Sequence, residues 1–242
     1  MPMGYKLVRG DTHVLKLLVR TNGLDRKYFL KFLNIHCRLL LAKSFVDIDF
    51  LSLYSDNSNF NLIFEESSNK LIEVLNERVK DHANRQTSTT FNNTLNNLTT
   101  DSKVLVIMYL LHCVYIPSSK KSTRDENGRK GFTKYSIRDS QKSFIIVTPT
   151  SVDMECTLHK MSEMGAIQPC VLVIGTLFDP KQILVYFDNI KYKMFSAIKA
   201  FDICFKIFHV FNVEYPIESS DITTKYDKSN VLIKQVINEL KS

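Results

Sequence analysis

Histidine and cysteine are the residue types in this chain that could supply a nucleophile with its base, or a metal site. His36-Cys37 and His112-Cys113 are adjacent pairs. Neighbouring residues on a helix do not face each other, so neither pair forms a nucleophile and base locally. A cysteine with a histidine far away in sequence stays open, since such partners meet only in the fold. We interpret both pairs as buried structural residues.

Metal-binding and phosphate-binding motifs are the next candidates. Cys204 and His209 lie five positions apart, whereas zinc ligands on one helix usually lie closer, and no C-x-x-C occurs. Gly175 is a single glycine after a predicted strand, while a phosphate-binding loop needs several glycines. The sequence therefore predicts a non-enzymatic chain with no catalytic residue, no metal and no cofactor. The carboxylates are dispersed and form no pair suited to acid–base or two-metal chemistry: Asp47, Asp49, Asp153, Glu155, Asp179 and Asp188.

The charged feature that could bind a partner is a loop predicted over residues 118–134. Its cations outnumber Asp125 and Glu126, and such a loop could contact phosphates. We favour a solvated surface insertion, because a basic run alone is weak evidence for a nucleic-acid site. The candidate nucleic-acid-binding residues are Lys120, Lys121, Arg124, Arg129, Lys130 and Lys134.

Composition places the chain among globular proteins. Its 242 residues are 44% hydrophobic and 24% charged, enough for a buried core, with a formal net charge of +7. That charge allows weak affinity for polyanions. The 5 cysteines are odd in number and scattered, which indicates reduced thiols in an intracellular protein, cytoplasmic or nuclear. No run approaches the ~20 apolar residues that span a bilayer, so we predict no membrane contact.

A helical N-terminal portion is predicted over residues 1–85. Apolar residues recur at helical spacing over 24–45, and the Lys and Arg residues between them make 24–43 a basic amphipathic helix. A short apolar element follows over 47–54, and a second helix over 65–84. The Asn/Thr-rich tract 86–100 has few apolar residues to bury. We therefore predict a mobile linker there, and place the domain boundary in it.

Residues 101–242 are predicted to form a domain that mixes helices and strands. The apolar run 104–111 favours a helix, with a strand as the alternative. Strands are predicted over 144–147, 171–174 and 183–187, a tight turn at Asp188-Asn189, and helices after Thr150 and Ser196 and over 230–240. The fold class is α+β, or α/β, with a small sheet of about three strands packed against helices. The helix over 197–211 is apolar on more than one side, so we expect it to be nearly enclosed by the sheet and by a partner.

Three segments carry a resemblance to a known family: QPCVLVIG (168–175), ILVYFDNIKYKM (183–194) and AIKAFDICFKIFHVFNVEYP (197–216). They are similar to the C-terminal region of uncharacterised animal proteins, the sterile alpha motif domain-containing protein 3-like family. Looser similarity in VLVIMYLLHCVYIPSSKK, SQKSFIIV and NLIFEESSNKLIEVLNERVK extends the resemblance over residues 47–216. The family's sterile alpha motif domain and long central region have no counterpart here, which predicts a shortened or domesticated relative. The resemblance implies no catalytic residues.

Two functions are predicted from these features. The first is a non-enzymatic protein-interaction or scaffold module, which acts with a protein partner or by self-association. The alternative is accessory and weak nucleic-acid binding, through the 118–134 loop and the 24–43 helix. An enzyme ranks third, and would need a pocket that places Cys113 or Cys170 beside a histidine.

Overall fold

The computed structural model describes residues 45–53, 60–124, 128 and 130–222. The chain divides into two compact units, residues 1–55 and 56–242. The described part of the first unit is helix α1 (Phe45–Leu53), which lies where a short apolar element was predicted. The predicted helices over 24–43 and 230–240 lie outside the described residues. The fold class is α+β, as predicted. None of the helices that the structure describes is long and apolar enough to cross a membrane.

Three helices begin the second unit: α2 (Phe60–Arg78), α3 (His82–Thr94) and α4 (Thr100–Val114). Thr99 caps α4, because its hydroxyl accepts the N–H of Ser102 at 3.2 Å. α4 contacts both α2 and α3, and its apolar residues are buried on all sides of the helix. The predicted helix for this run is confirmed, and the alternative strand is wrong.

The predicted mobile linker over residues 86–100 is wrong, because α3 and a following 3-10 turn (Leu95–Asn97) cover most of it. The Asp81 carboxylate caps α3 by accepting the N–H of Asn84 at 3.1 Å. Phe91 is only 1% exposed, so one aromatic side chain anchors a helix that is otherwise polar. The predicted domain boundary falls inside the second compact unit.

The predicted charged loop over residues 118–134 is also corrected, because it forms a β-hairpin. Strands β1 (Lys120–Arg124) and β2 (Lys130–Lys134) pair antiparallel in a sheet of their own. Gly128, between them, has a φ of 75°, the left-handed conformation that tight hairpin loops use. Lys120, Lys121, Lys130 and Lys134 are therefore held in a strand register, which fixes the face of the hairpin on which each of them lies.

The main sheet has four strands in the order β3-β4-β5-β6. They are β3 (Ile145–Thr148), β4 (Cys170–Gly175), β5 (Pro180–Phe187) and β6 (Ile190–Met194). β3 and β4 run parallel, and the other neighbours are antiparallel. The three predicted strands are confirmed, and β6 is a fourth strand that the prediction did not include.

The turn that joins β5 to β6 is the predicted one. Asp188 and Asn189 have φ values of 49° and 64°, and such a left-handed pair matches the twist of a two-residue hairpin. The Tyr186 hydroxyl donates to the side-chain oxygen of Asn189 at 2.8 Å. Burial raises the pKa of Asp188, whose Oδ2 has no hydrogen-bond partner among the described residues.

Helices cover both faces of the sheet. Helix α5 (Ile137–Phe144) leads directly into β3. Helix α6 (Ser151–Met164) connects β3 to β4 and packs on one face, where Leu158 joins an apolar cluster with residues of β3, β4 and β5. Helix α7 (Ala197–Val210) covers the opposite face, where it contacts β4, β5 and β6.

The predicted caps are confirmed, and so is the predicted enclosure of α7 by the sheet, whereas its enclosure by a partner stays a prediction. Thr150 caps α6, and Ser196 caps α7. Phe201 and Cys204 on α7 are completely buried, and α7 also contacts α2 and α4. The ring of Phe144, at the end of α5, packs 6.0 Å from the ring of Phe201. The core of this unit therefore lies between the sheet and α4, with α7 at its centre.

Candidate docking groove at the edge of the sheet

The outer edge of β3 has no partner strand. β3 is hydrogen-bonded to β4 alone among the strands that the structure describes. Its sequence, Ile-Ile-Val-Thr, contains neither a charged residue nor a proline, which are two of the usual features that prevent another strand from pairing with an edge; its short length is the protective feature that it does have. An edge strand presents a row of backbone N–H and C=O groups to one side. β3 is therefore chemically suited to accept one more strand.

This edge forms the floor of a groove with a volume of about 860 Å³. Helix α5 supplies one wall and helix α6 the other, and the hairpin and the loop after β4 complete the lining. Apolar side chains lie on the α6 side, where Met161 is half-buried and Met164 is 82% exposed. Methionine side chains adapt their shape to what they contact. The groove therefore combines the backbone edge of β3 with an apolar wall that can adapt its shape, and it is open to solvent.

Four cations line the groove. Arg138 and Lys142 lie on α5, four residues apart and thus on one side of the helix. Lys160 faces them from α6, and Lys121 comes from β1. All four residues are exposed, so their charges are solvated in the free chain and available to a ligand. The cations lie on both walls, on either side of the β3 edge.

Two carboxylates also line the groove, Asp139 and Glu218. Asp139 is occupied by a capping box at the start of α5: its Oδ2 accepts from the Ser136 N–H at 2.9 Å and from the Ser136 hydroxyl at 2.8 Å. The backbone hydrogen bond from Ser136 is the main reason that the pKa of Asp139 is lowered. Asp139 therefore stays ionised, and the charges of Lys121 and Lys142 also lower its pKa; with four cations against two carboxylates among the described lining residues, positive charge is in excess.

Two tyrosines add neutral hydrogen-bonding groups. Burial is the main cause of a raised pKa for both Tyr109 and Tyr135, so both phenols keep their proton at neutral pH. The Lys121 ammonium lies 5.6 Å from the centre of the Tyr135 ring, a distance at which a cation and an aromatic face attract each other. The phenols can donate to carbonyl or carboxylate oxygens of a ligand.

Helix α5 is held in place by polar side chains buried beneath it. Gln141 donates to the side-chain oxygen of Asn84 at 3.0 Å and to the carbonyl of Tyr109 at 3.2 Å, and so joins α5 to α3 and α4. Ser140 Oγ lies 2.7 Å from His112 Nδ1, on α4. Such buried hydrogen bonds fix the arrangement of the helices that they join. These hydrogen bonds to α3 and α4 therefore hold α5, the wall with Arg138 and Lys142, in a fixed position.

The Ser140–His112 pair has the composition of a nucleophile and its base. Both residues are 0% exposed, so a substrate has no access to the hydroxyl. Burial lowers the pKa of His112 to about 3, and the described residues offer its Nε2 no hydrogen-bond partner. The third group that orients the base in a catalytic triad is therefore not found at this nitrogen. We interpret the pair as a structural contact between α4 and α5.

The predicted cysteine positions are buried thiols. Burial raises the pKa of Cys113 and of Cys170 to about 12, whereas a reactive cysteine needs a lowered pKa. His209 lies beside Tyr215, with 3.2 Å between Nε2 and the hydroxyl, and it forms no metal site with Cys204. In the part of the chain that the structure describes, no three His, Cys, Asp or Glu side chains are grouped so that they could hold a metal ion.

The six predicted nucleic-acid-binding residues are divided by the hairpin. The Cα register pairs Lys120 with Lys134 and Arg124 with Lys130, whereas Lys121 pairs with Thr133. Side chains alternate along a strand, so Lys120, Lys130 and Lys134 lie on one face and Lys121 on the other, toward the groove. Phe132, 72% exposed, lies on the face of the three lysines. Arg129 lies outside the described residues.

Sequence reasoning missed the cations of the groove. Arg138 and Lys142 lie on α5, a helix that was not predicted, and Lys160 is one solvent-facing lysine on a helix predicted only for its apolar face. The capping box of Ser136 and Asp139, together with cations at positions 138 and 142 that lie one turn apart, is the signal that could have found α5. Their convergence on β3 depends on the strand order, which no local pattern contains.

The chain matches no family model, no curated protein and no solved structure. The similarity of residues 47–216 to the C-terminal region of the sterile alpha motif domain-containing protein 3-like family therefore stays a prediction. Function has to be inferred from the geometry and charge of the groove and of the hairpin.

Proposed function

We propose that the chain is a non-enzymatic protein-interaction module that binds an extended segment of a partner along the outer edge of β3. The observation that carries this proposal is an uncharged edge strand at the floor of a groove of about 860 Å³. In strand addition, main-chain hydrogen bonds supply the affinity, and the groove walls select the side chains on either face. The 4 residues of β3 extend over roughly 13 Å at the rise of a strand, enough to pair with a short linear motif.

The proposal is tested by placing a charge on the edge. Val147 is half-buried and lines the groove, and lysine is the residue that natural edge strands use to prevent pairing. Val147→Lys should abolish binding of peptides selected from a random library on the immobilised chain. The matched control is Val152→Lys, at a position on α6 that is 69% exposed and outside the groove lining; it should bind as the original chain does.

Hydrogen exchange locates the binding. In the complex, the backbone amides of residues 145–148 should exchange more slowly, while those of residues 190–194, at the other edge of the sheet, should not change. Thermal unfolding of both variants shows whether they are folded. Selection of no peptide, or of peptides that bind the Val147→Lys and Val152→Lys variants equally, would contradict the proposal.

A second candidate function, weak nucleic-acid binding, is favoured by the exposed Phe132 beside Lys120, Lys130 and Lys134 on one face of the hairpin. Cations contact phosphates, and an exposed aromatic ring can stack on an unpaired base. The basic helix over 24–43, the other part of that prediction, lies outside the described residues.

This second candidate is tested with a single-stranded oligonucleotide. Alanine at all three hairpin lysines should weaken binding and reduce its dependence on salt, and Phe132→Ala should weaken binding without changing that dependence. The control replaces three exposed lysines elsewhere, Lys70, Lys80 and Lys181, with alanine. Equal losses in the hairpin and control variants would indicate non-specific attraction to a basic chain, and would remove the hairpin from consideration.

A further inference from the structure

We propose that the segment which binds along β3 is acidic: an extended stretch of another protein, with carboxylates on both sides of a short apolar and β-branched centre. This inference rests on the proposed function of the groove. It adds the chemistry of the ligand, which strand addition alone does not specify, since main-chain hydrogen bonds are the same for every sequence.

The charges of the two walls predict which residue types flank the paired stretch of the ligand. Arg138 and Lys142 lie on one wall and Lys160 on the other, so a segment in the groove passes between cations. Asp139 is held by Ser136 in the capping box. A ligand with carboxylates at its flanks meets complementary charge on both sides, whereas a basic ligand meets repulsion.

The floor and the α6 wall predict which residue types form the paired centre of the ligand. The β3 edge is uncharged, and Met161 and Met164 lie beside it. Met164 exposes 82% of its surface in the free chain, so an apolar side chain that packs on it would remove apolar surface from water. Val, Ile and Thr favour the extended backbone that pairing needs. A short apolar, β-branched centre therefore fits the part of the groove that has no cation.

Of the segments outside the described residues, the two long ones have the wrong charge for the groove, and the acidic residues of the short ones, Asp56, Asp125 and Glu126, are joined on both sides to described elements. Residues 1–44 contain 9 Lys and Arg against 2 Asp, and residues 223–242 contain 4 Lys against 2 acidic residues. A second copy that paired edge to edge would bring the same four groove cations together. Like charges that face each other across an interface oppose association. Charge complementarity therefore points to a different, acidic protein.

The test uses synthetic peptides that share one Thr/Val centre and differ in their flanks, which are runs of Glu, of Gln or of Lys. Fluorescence anisotropy measures binding to the full chain. The Glu peptide should bind about tenfold more tightly than the Gln peptide, because several exposed charge pairs each contribute a small amount. The Lys peptide should bind most weakly, and added salt should reduce the difference between the three peptides.

Charge reversal identifies the residues responsible. The variant Arg138→Glu, Lys142→Glu, Lys160→Glu should reverse the order and bind the Lys peptide most tightly. The matched control, Lys80→Glu, Lys181→Glu, Lys193→Glu, carries the same change of net charge outside the groove and should keep the original order. Both variants are compared at equal ionic strength, so that any general effect of net charge appears equally in the two.

The outcomes separate this inference from the proposed function. Binding that Val147→Lys abolishes, but that shows no preference among the flanks, would overturn the acidic ligand and leave the interaction module standing. No binding of any peptide, together with no effect of Val147→Lys on selected ligands, would overturn both. A dimer in sedimentation that Val147→Lys dissociates would identify a second copy as the occupant. Polyglutamate or RNA that binds as tightly as the Glu peptide would show attraction to any polyanion, and would overturn the inference.

Discussion

The two edges of the main sheet differ in how they meet solvent. β6, at one edge, has the sequence Ile-Lys-Tyr-Lys-Met, and Lys191 Nζ lies 2.7 Å from the Glu155 carboxylate of α6. β3, at the other edge, contains no charge and lies between two helices. Charged side chains protect the β6 edge, whereas the β3 edge is limited by its short length and by the helices on either side of it. Of these two edges, β3 is therefore the one whose chemistry is suited to pairing with another strand.

The largest expected effect on stability comes from a substitution at the end of β4, an inner strand of the sheet. Gly175 ends β4 with a φ of 110°, and a Cβ there would lie 2.6 Å from the Asp179 carbonyl oxygen. Gly175→Ala should lower the free energy of unfolding by about 2–3 kcal/mol through strain and steric overlap. The protection of backbone amides against hydrogen exchange should fall in both β3 and β6, because β4 joins β3 to β5 and β6.

The control for this change is Gly165→Ala, at the end of α6. Gly165 also has a positive φ, 149°, but nothing lies within 4 Å of the added Cβ. We expect a loss of about 1 kcal/mol, from backbone strain alone. Chemical denaturation measures both values, and equal losses would show that the overlap with the Asp179 carbonyl is relieved by a small backbone shift.

The second largest effect is a change of stability with pH. Its sign differs between His112, beneath the β3 side, and Asp188, at the turn into β6. His112 has a pKa of about 3 in place of 6.5 because it is buried. The unfolded chain therefore binds a proton that the folded chain does not, and stability falls as the pH drops from about 6.5 toward 3. At pH 5 the loss should be about 2 kcal/mol.

Asp188, at the turn into β6, responds in the opposite sense. Burial raises its pKa, so its contribution is present at low pH and is lost as the pH rises through the raised value. Denaturation between pH 7 and pH 5 should show a slope that His112→Gln flattens. His159→Gln, at an exposed histidine of α6, should leave it unchanged. Equal slopes in all three proteins would contradict the role of His112.

The smallest effect on stability is expected at the β6 edge. Lys193 is exposed on this strand, and Lys193→Val should change the free energy of unfolding by less than about 0.5 kcal/mol. The same change removes a protective charge, so sedimentation velocity should show association that increases with concentration. Lys80→Val is the control. A Lys193→Val chain that stays monomeric at every concentration would show that the lysines of β6 do not protect it.

Local signals predicted much of the second half of the chain. Thr150 and Ser196 precede apolar helical patterns, and Asp188-Asn189 separates two β-rich runs, so side-chain hydrogen bonds and turn geometry alone place these elements. The apolar run in α4 was ambiguous in type, and burial on all sides resolved it as a helix. Where the residue types themselves specify the backbone, the prediction was confirmed.

The errors occurred where tertiary contacts specify the backbone. The Asn/Thr tract lies mostly in helix α3, which packs because Phe91 is buried and because Asn84, near the start of the helix, accepts a hydrogen bond from Gln141 on α5. The basic segment is a hairpin because two runs of polar residues pair with each other. The groove needs the strand order, which places β3 at the edge and brings Lys142 and Lys160 to opposite sides of it. These relations join residues that are far apart in sequence, so local patterns do not contain them.

Gln141 affects the entropy change that we expect when a ligand binds in the groove. Its amide is bonded to α3 and α4, so the backbone of α5 has little freedom to lose when a ligand arrives, whereas the exposed side chains of Arg138 and Lys142 would still lose rotamer entropy. In the proposed complex, the main entropy cost therefore falls on the incoming segment, which would pass from a disordered to an extended state. Prolines placed just outside the paired stretch would stiffen that segment in advance. Titration calorimetry should then record the improved affinity as a smaller entropic penalty, at nearly constant enthalpy.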